Sequence, residues 1–212
     1  MEIKTFFCNP LHECCYLAWD GTGACVIVDP GCYGAAELSL IESFVEGKNL
    51  RPEKILLTHS HFDHILGLEA VASRWKLDVY MHPDDREQLV RSADWCARLG
   101  LEFKPFTGRF VDIADGDKIS FGDTTLEVLA TPGHTQGGVC FYCRADGVIF
   151  TGDTLFAGSI GRTDHPGGNY EQLIDSIFRK LLPLDGEVMV LPGHGGSSSI
   201  GYERSTNPFL QP

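Results

Sequence analysis

The six residues His59-Ser60-His61-Phe62-Asp63-His64 hold four side chains able to bind a metal. Imidazole and carboxylate are donors that zinc, iron and manganese accept. Burying so many polar groups in one loop without an ion costs on the order of several kcal/mol. His59, His61 and Asp63 alternate, so an extended loop turns all three to one side. His64 begins the following helix and can face the same space. The cluster follows Ile55-Leu56-Leu57-Thr58, an apolar run of buried-strand type.

Three further strands end in the same way. Val128 to Gly133 leads to His134, Val148 to Gly152 leads to Asp153, and Val188 to Gly193 leads to His194. Strands that end together gather such groups at one rim of a sheet. The ligand-type groups then number seven, more than one tetrahedral ion uses. They suit two ions a few Å apart, bridged by a carboxylate and a water. The expected division gives one ion His59, His61 and His134, and the other Asp63, His64 and His194, with Asp153 between them.

Away from these residues the pattern is that of a mixed α and β chain. Ala24-Cys25-Val26-Ile27-Val28 reads as a strand stopped by Asp29-Pro30-Gly31. Helices are expected from about residues 35 to 45, 64 to 75 and 170 to 182, and Pro83 suits the first turn of another. Strands are expected at 54–58, 78–81 and 187–191. Hairpins are expected across Gly122-Asp123 and Ala145-Asp146-Gly147, and the tail reads as loop. Two similar halves, each mixing strands and helices, suggest stacked sheets with helices outside, in one domain spanning 1–212.

Composition narrows the function classes. Of 212 residues, 43% are hydrophobic, and 17 basic against 29 acidic groups give a net charge of −12. Such a chain, without a basic run, is a poor partner for nucleic acid or an anionic membrane surface. No signal peptide or membrane-spanning run is read, which points to a cytoplasmic protein. Its eight cysteines are expected as reduced, packed thiols. Cys140 and Cys143 have the spacing of a redox pair, but on a strand they point to opposite faces.

The cluster, with Gly133-His134-Thr135, Gly152-Asp153-Thr154 and Pro192-Gly193-His194, resembles the metallo-β-lactamase superfamily. The similarity runs from Val28-Asp29-Pro30-Gly31 to His194. Thr151-Gly152-Asp153-Thr154-Leu155-Phe156 and Gly161-Arg162-Thr163-Asp164 resemble its glyoxalase II-like branch, the hydroxyacylglutathione hydrolases and their short relatives. The resemblance implies a four-layered αββα sandwich of mixed α/β class and carries the metal roles onto the seven residues. It implies a metal-dependent thioesterase that binds a small acyl-thiol. Two divalent ions, zinc first with iron or manganese as alternatives, supply a bridging hydroxide. Asp63 orients that hydroxide as well as binding metal.

Two departures bear on the carrier thiol. Only 18 residues follow His194, where full-length glyoxalase II has a helical region that helps hold glutathione. Arg162 and Asp164 stand where that family grips the carrier with lysine and tyrosine. Arg162 remains the candidate for forking onto a substrate carboxylate. The rival readings are a mononuclear iron persulfide dioxygenase using His59, His134 and Asp153, another hydrolase of the same fold, and a metal-stabilised binding protein. His165 is weighed equally as a substrate contact and a solvated side chain. His82 reads as a helix-start residue, and Gly158 and Gly161 as places where backbone passes close to the metals. The acyl group, the carrier thiol and the oligomeric state stay open.

Overall fold

The computed structural model describes residues 1–211. The first sheet takes β1 (Glu2–Cys8), β2 (Glu13–Trp19), β3 (Ala24–Val28), β4 (Arg51–Leu56), β5 (Val79–Met81) and β6 (Phe110–Asp112), side by side in that order. β1, β2 and β3 are antiparallel neighbours, while β3 to β6 run parallel. Parallel neighbours need crossovers. These are α1 (Gly34–Gly47), then α2 (Phe62–Ile65) with α3 (Leu68–Trp75), then α4 (Arg86–Leu99).

The second sheet is built from β7 (Lys118–Phe121), β8 (Thr124–Ala130), β9 (Val139–Cys143), β10 (Val148–Gly152), β13 (Met189–Pro192) and β14 (Ser198–Ser199). A small hairpin, β11 (Leu155–Phe156) with β12 (Ser159–Ile160), stands beside it. α5 (Tyr170–Ser176), prolonged by a wider turn to Leu181, and α6 (Ile200–Thr206) complete the chain.

Alternation along the strands builds the layers. In β2, Cys15, Leu17 and Trp19 pack with Ile41 and Val45 of α1 and Val71 of α3. Their neighbours Cys14, Tyr16 and Ala18 face the second sheet, where they join Val128, Phe141 and Phe150. On the far face of that sheet, Cys140, Tyr142, Ile149 and Val190 pack with Leu173 and Ile177 at α5. The result is the expected order of helix, sheet, sheet, helix. Phe121, Phe141 and Phe150 are wholly buried between the sheets, each stabilising the sandwich by roughly 1.5–3 kcal/mol. Cys140 lies in the outer core and Cys143 in the inter-sheet core, on opposite faces as their spacing predicts. All eight cysteines are free and buried.

The structure corrects the sequence reading at three places. The helix expected over 64–75 is broken after Ile65. Gly67, whose N–H donates to the Pro30 carbonyl at 2.9 Å, approaches Cys32 and Pro30 so closely that a Cβ would collide with both. β4 begins at Arg51 rather than Lys54; Cys25 pairs with Pro52 and Val26 with Lys54, so Glu53 is an extra residue of β4 beside Pro52, which has no N–H to give. The tail is not loop: β14 and α6 occupy it. Glu203 and Asn207 are buried there. Glu203 accepts from the Gly158 N–H at 2.9 Å, and the Asn207 amide donates to the Ser159 carbonyl at 3.0 Å.

Candidate metal centre

β4, β8, β10 and β13 all deliver their carboxyl ends to one rim of the sandwich. β10 and β13 are parallel neighbours, and β8 is antiparallel to β9, which is antiparallel to β10. Backbone bonds join the two sheets there. The Val139 N–H donates to the Thr58 carbonyl and the Cys14 N–H to Gly193, while within the second sheet the Gly193 N–H donates to Gly152, each at 2.8 Å. Gly193 must be glycine, since a Cβ would strike the Asp153 carboxylate and the His64 ring.

All seven sequence-derived residues converge on this rim. His59, His61 and His134 each bring a ring nitrogen within 4.8 Å of the others, and Asp63, His64 and His194 bring their donors within the same limit. His61 Nδ1 and His134 Nε2 approach to 2.8 Å. His194 Nε2 lies 3.1 Å from Asp63 Oδ2. Asp153 stands between the triads: one oxygen is 3.4 Å from His64 Nε2, the other 3.5 Å from His134 Nε2. Asp63 does not sit in an extended loop as expected. The chain turns helical at Phe62, and Asp63 reaches the site from the first turn of α2.

The outward nitrogens show which atoms are left for an ion. Thr58 Oγ1 donates to the Asp29 carboxylate, so it accepts at 3.1 Å from His59 Nδ1. His64 Nδ1 donates to Asp29 Oδ2 at 3.0 Å, His134 Nδ1 to the Arg162 carbonyl at 2.7 Å, and His194 Nδ1 to the Leu11 carbonyl at 3.2 Å. With Nδ1 protonated, each ring presents a bare Nε2 to the rim, the arrangement outer partners impose on metal histidines. His59 Nε2, His64 Nε2 and Asp153 Oδ1 are buried without any hydrogen-bond partner. Orphaned acceptors of this kind, meeting at one point, fit a divalent cation.

Charge divides the triads. Burial lowers the pKa of His59, His61 and His134, and neighbouring imidazoles lower His59 and His61 further. Burial alone would also lower His64, but the Asp153 and Asp63 carboxylates outweigh it and raise it well above the usual histidine value. His194 is raised too, burial being outweighed by the Asp63 hydrogen bond and the Asp153 charge. Burial works against ionised Asp63 and Asp153, yet His64 above all holds both below the usual carboxylate range.

Several residues of the site escaped the sequence reading. In the sequence Asp29 reads only as a strand stop. It adopts φ 50°, tolerable for aspartate, and its carboxylate accepts from the Thr58 N–H at 2.7 Å as well as from His64. Asp85 is buried and accepts from the Ser60 N–H at 2.7 Å and the Gly137 N–H at 2.8 Å. This turns Ser60 away and leaves His59 and His61 pointing inward. Glu13, wholly buried 3.9 Å from His64 Nδ1, has both oxygens unpartnered, and burial pushes its carboxyl well up. No motif flags such residues; a buried acid in a turn or on a strand is visible only in three dimensions.

The rim opens into a cleft of about 680 Å³ lined by ligand residues, by Leu11, Phe62, Trp95, Leu99 and Phe156, and by Arg162, Asp164 and His165. Arg162 forks onto Asp164 through bonds of 2.8 and 3.0 Å. His165 stands beside the site, its Nε2 3.4 Å from His134 Nδ1. Gly161 passes close to Asp153 and His134 as expected, whereas Gly158 meets open space and serves the turn between β11 and β12. His82 caps the short turn at Pro83, accepting from the Asp84 N–H at 3.3 Å.

A family model for the metallo-beta-lactamase superfamily matches residues 9–194. The hydroxyacylglutathione hydrolase GloC of Haemophilus influenzae is 35% identical, over 99% of this chain and 98% of its own length. The crystal structure of the B3 metallo-beta-lactamase BLEG-1 superposes with a TM-score of 0.87 at 34% identity, covering 100% of both chains. TTHA1623, solved in a di-iron-bound form, gives 0.86 at 37% identity, covering 98% of this chain and 100% of its own.

Proposed function

The chain belongs to the metallo-β-lactamase superfamily, and from that premise we propose that it hydrolyses thioesters at a centre of two divalent ions. The observation that carries this reading is the meeting of three orphaned buried acceptors, His59 Nε2, His64 Nε2 and Asp153 Oδ1, at the floor of an open cleft. A structural ion is enclosed by four ligands, whereas seven donors beneath a cleft suit reactive chemistry. The likeness to a hydroxyacylglutathione hydrolase supports the thioester, and the di-iron relative supports two ions.

Bound divalent ions supply Lewis acidity and a water acidified to near neutrality. The protein does the rest. His59, His61 and His134 would hold one ion and Asp63, His64 and His194 the other, with Asp153 standing between the triads. Asp29, Thr58 and the carbonyls of Arg162 and Leu11 keep the rings in the tautomer that coordinates. Asp63 accepts a hydrogen bond from the attacking water and aims its lone pair at the substrate carbonyl carbon. The leaving thiolate, whose conjugate acid has a pKa near about 8.5, departs with little protonation.

Metal analysis of protein purified without added metal, combined with thiol release from a panel of acyl-thiols, tests this. Two ions per chain and thiol release are expected, and Asp63→Ala should abolish release. One iron per chain with oxygen uptake on a persulfide would move the assignment to the dioxygenase reading. An Asp63→Ala variant that keeps its metal and full rate would remove the second role of Asp63.

A further inference from the structure

The walls of the cleft differ in character. Its lining includes Leu11, Trp95 and Leu99, exposed by 50%, 43% and 55%, together with Phe62 and Phe156 next to the ligand residues. A lone exposed apolar residue is ordinary; a contiguous row leading down to a reactive floor marks a binding surface. Trp95 and Leu99 project from the last turns of α4, a rigid element, so this wall exists before any ligand arrives.

Among the described residues, Arg162 is the only lysine or arginine lining the cleft. Its Nε and Nη2 donate to Asp164, an exposed pair that leaves the other guanidinium donors unspent. The remaining charges of the lining are carboxylates, within a chain of net charge −12. Away from the ions at the floor, a carboxylate- or phosphate-bearing carrier thiol would therefore meet a single guanidinium and would compete for it with Asp164.

We propose that the cleft selects thioesters carrying an apolar chain and no fixed negative charge near the reacting carbonyl. This builds on the thioester reading above and specifies its substrate class. The apolar chain lies against Trp95 and Leu99 while the carbonyl sits at the floor. Arg162 is engaged by Asp164 in the resting protein, so an anionic carrier has to compete for it.

The test uses the metal-loaded full chain with two matched series, acetyl to octanoyl: neutral S-acyl-N-acetylcysteamines and the corresponding S-acylglutathiones. In the neutral series kcat/KM should rise about two- to threefold per methylene, somewhat less than full burial would give. At equal chain length the neutral thioester should be preferred. Combining Trp95→Ala with Leu99→Ala should flatten the chain-length slope; both side chains are largely exposed, so truncation opens no core cavity. Asp164→Asn should improve the glutathione series relative to the neutral series several-fold. A flat slope in the neutral series, or a preference for glutathione thioesters at every length, overturns the proposal while leaving thioester hydrolysis standing. Turnover of no thioester at all sinks the hydrolysis reading instead. Calorimetry with the inert thioether S-octyl-N-acetylcysteamine then decides the cleft: binding that weakens in the Trp95→Ala, Leu99→Ala variant supports an apolar-chain site, and absence of binding overturns it.

Discussion

The two triads at the rim share a design but differ in charge and exposure. Each combines residues of the loop after β4 with a histidine from the second sheet, His134 in one case and His194 in the other. The first triad is all imidazole, its pKa values lowered, which favours neutral rings with one nitrogen each open to a cation. The second contains Asp63, raises His64 and His194, and leaves His194 about a quarter exposed, with a side-chain accessibility of 28%. The buried triad is thus prepared for its ion by desolvation. At the other, the neighbouring carboxylates favour protons with which its ion must compete.

The sharpest way to break this comparison is to remove one histidine from each side. His134→Ala should take turnover below detection, because it empties the prepared triad. His194→Ala should leave one ion per chain and cost on the order of 10²–10³-fold in turnover, the usual loss of one electrostatic stabiliser. One ion in each variant is expected by elemental analysis; loss of both ions from either would show that the triads do not load independently.

Asp29 tests what the triads have in common. It holds His64 directly and His59 through the Thr58 hydroxyl. Asp29→Asn should weaken both ions by roughly 10–100-fold while the fold persists, since asparagine also tolerates positive φ. Chelator titration reads this, and an effect confined to one ion would mean the shared support is not shared.

Acidity should separate the triads more gently. His64 and His194 have raised pKa values, so their protons leave when the second ion binds. Affinity at that triad should fall by about tenfold per unit of falling pH for each proton displaced. The first triad, with lowered values, should hold its ion over the same range. Parallel loss of both ions on mild acidification would contradict this.

The metal ligands were legible in the sequence because a cation restricts residue type sharply, and because each stands just past an apolar strand. The layers were legible for a similar reason: β3, β9 and β10 bury both faces and read as apolar runs. What could not be read depends on partners distant in the chain. Gly67 looks like a tolerable helix glycine until Cys32 and Pro30 press against it. The tail looks polar, but its Glu203 and Asn207 are buried by bonds to the β11–β12 turn. Asp29 and Asp85 are common turn residues whose second task, holding ligand histidines and their loop in place, appears only when residues 29, 58, 60 and 64 meet.

The ligands of each triad are drawn from both sheets, with 73 residues separating His61 from His134 and 131 separating Asp63 from His194. A bound ion is consequently a clasp between distant stretches of chain, comparable in topology to a long-range crosslink. It should act little on either half by itself and most strongly against their coming apart. Loss of metal would then register first as a loosening of the seam between the sheets, ahead of any melting within them.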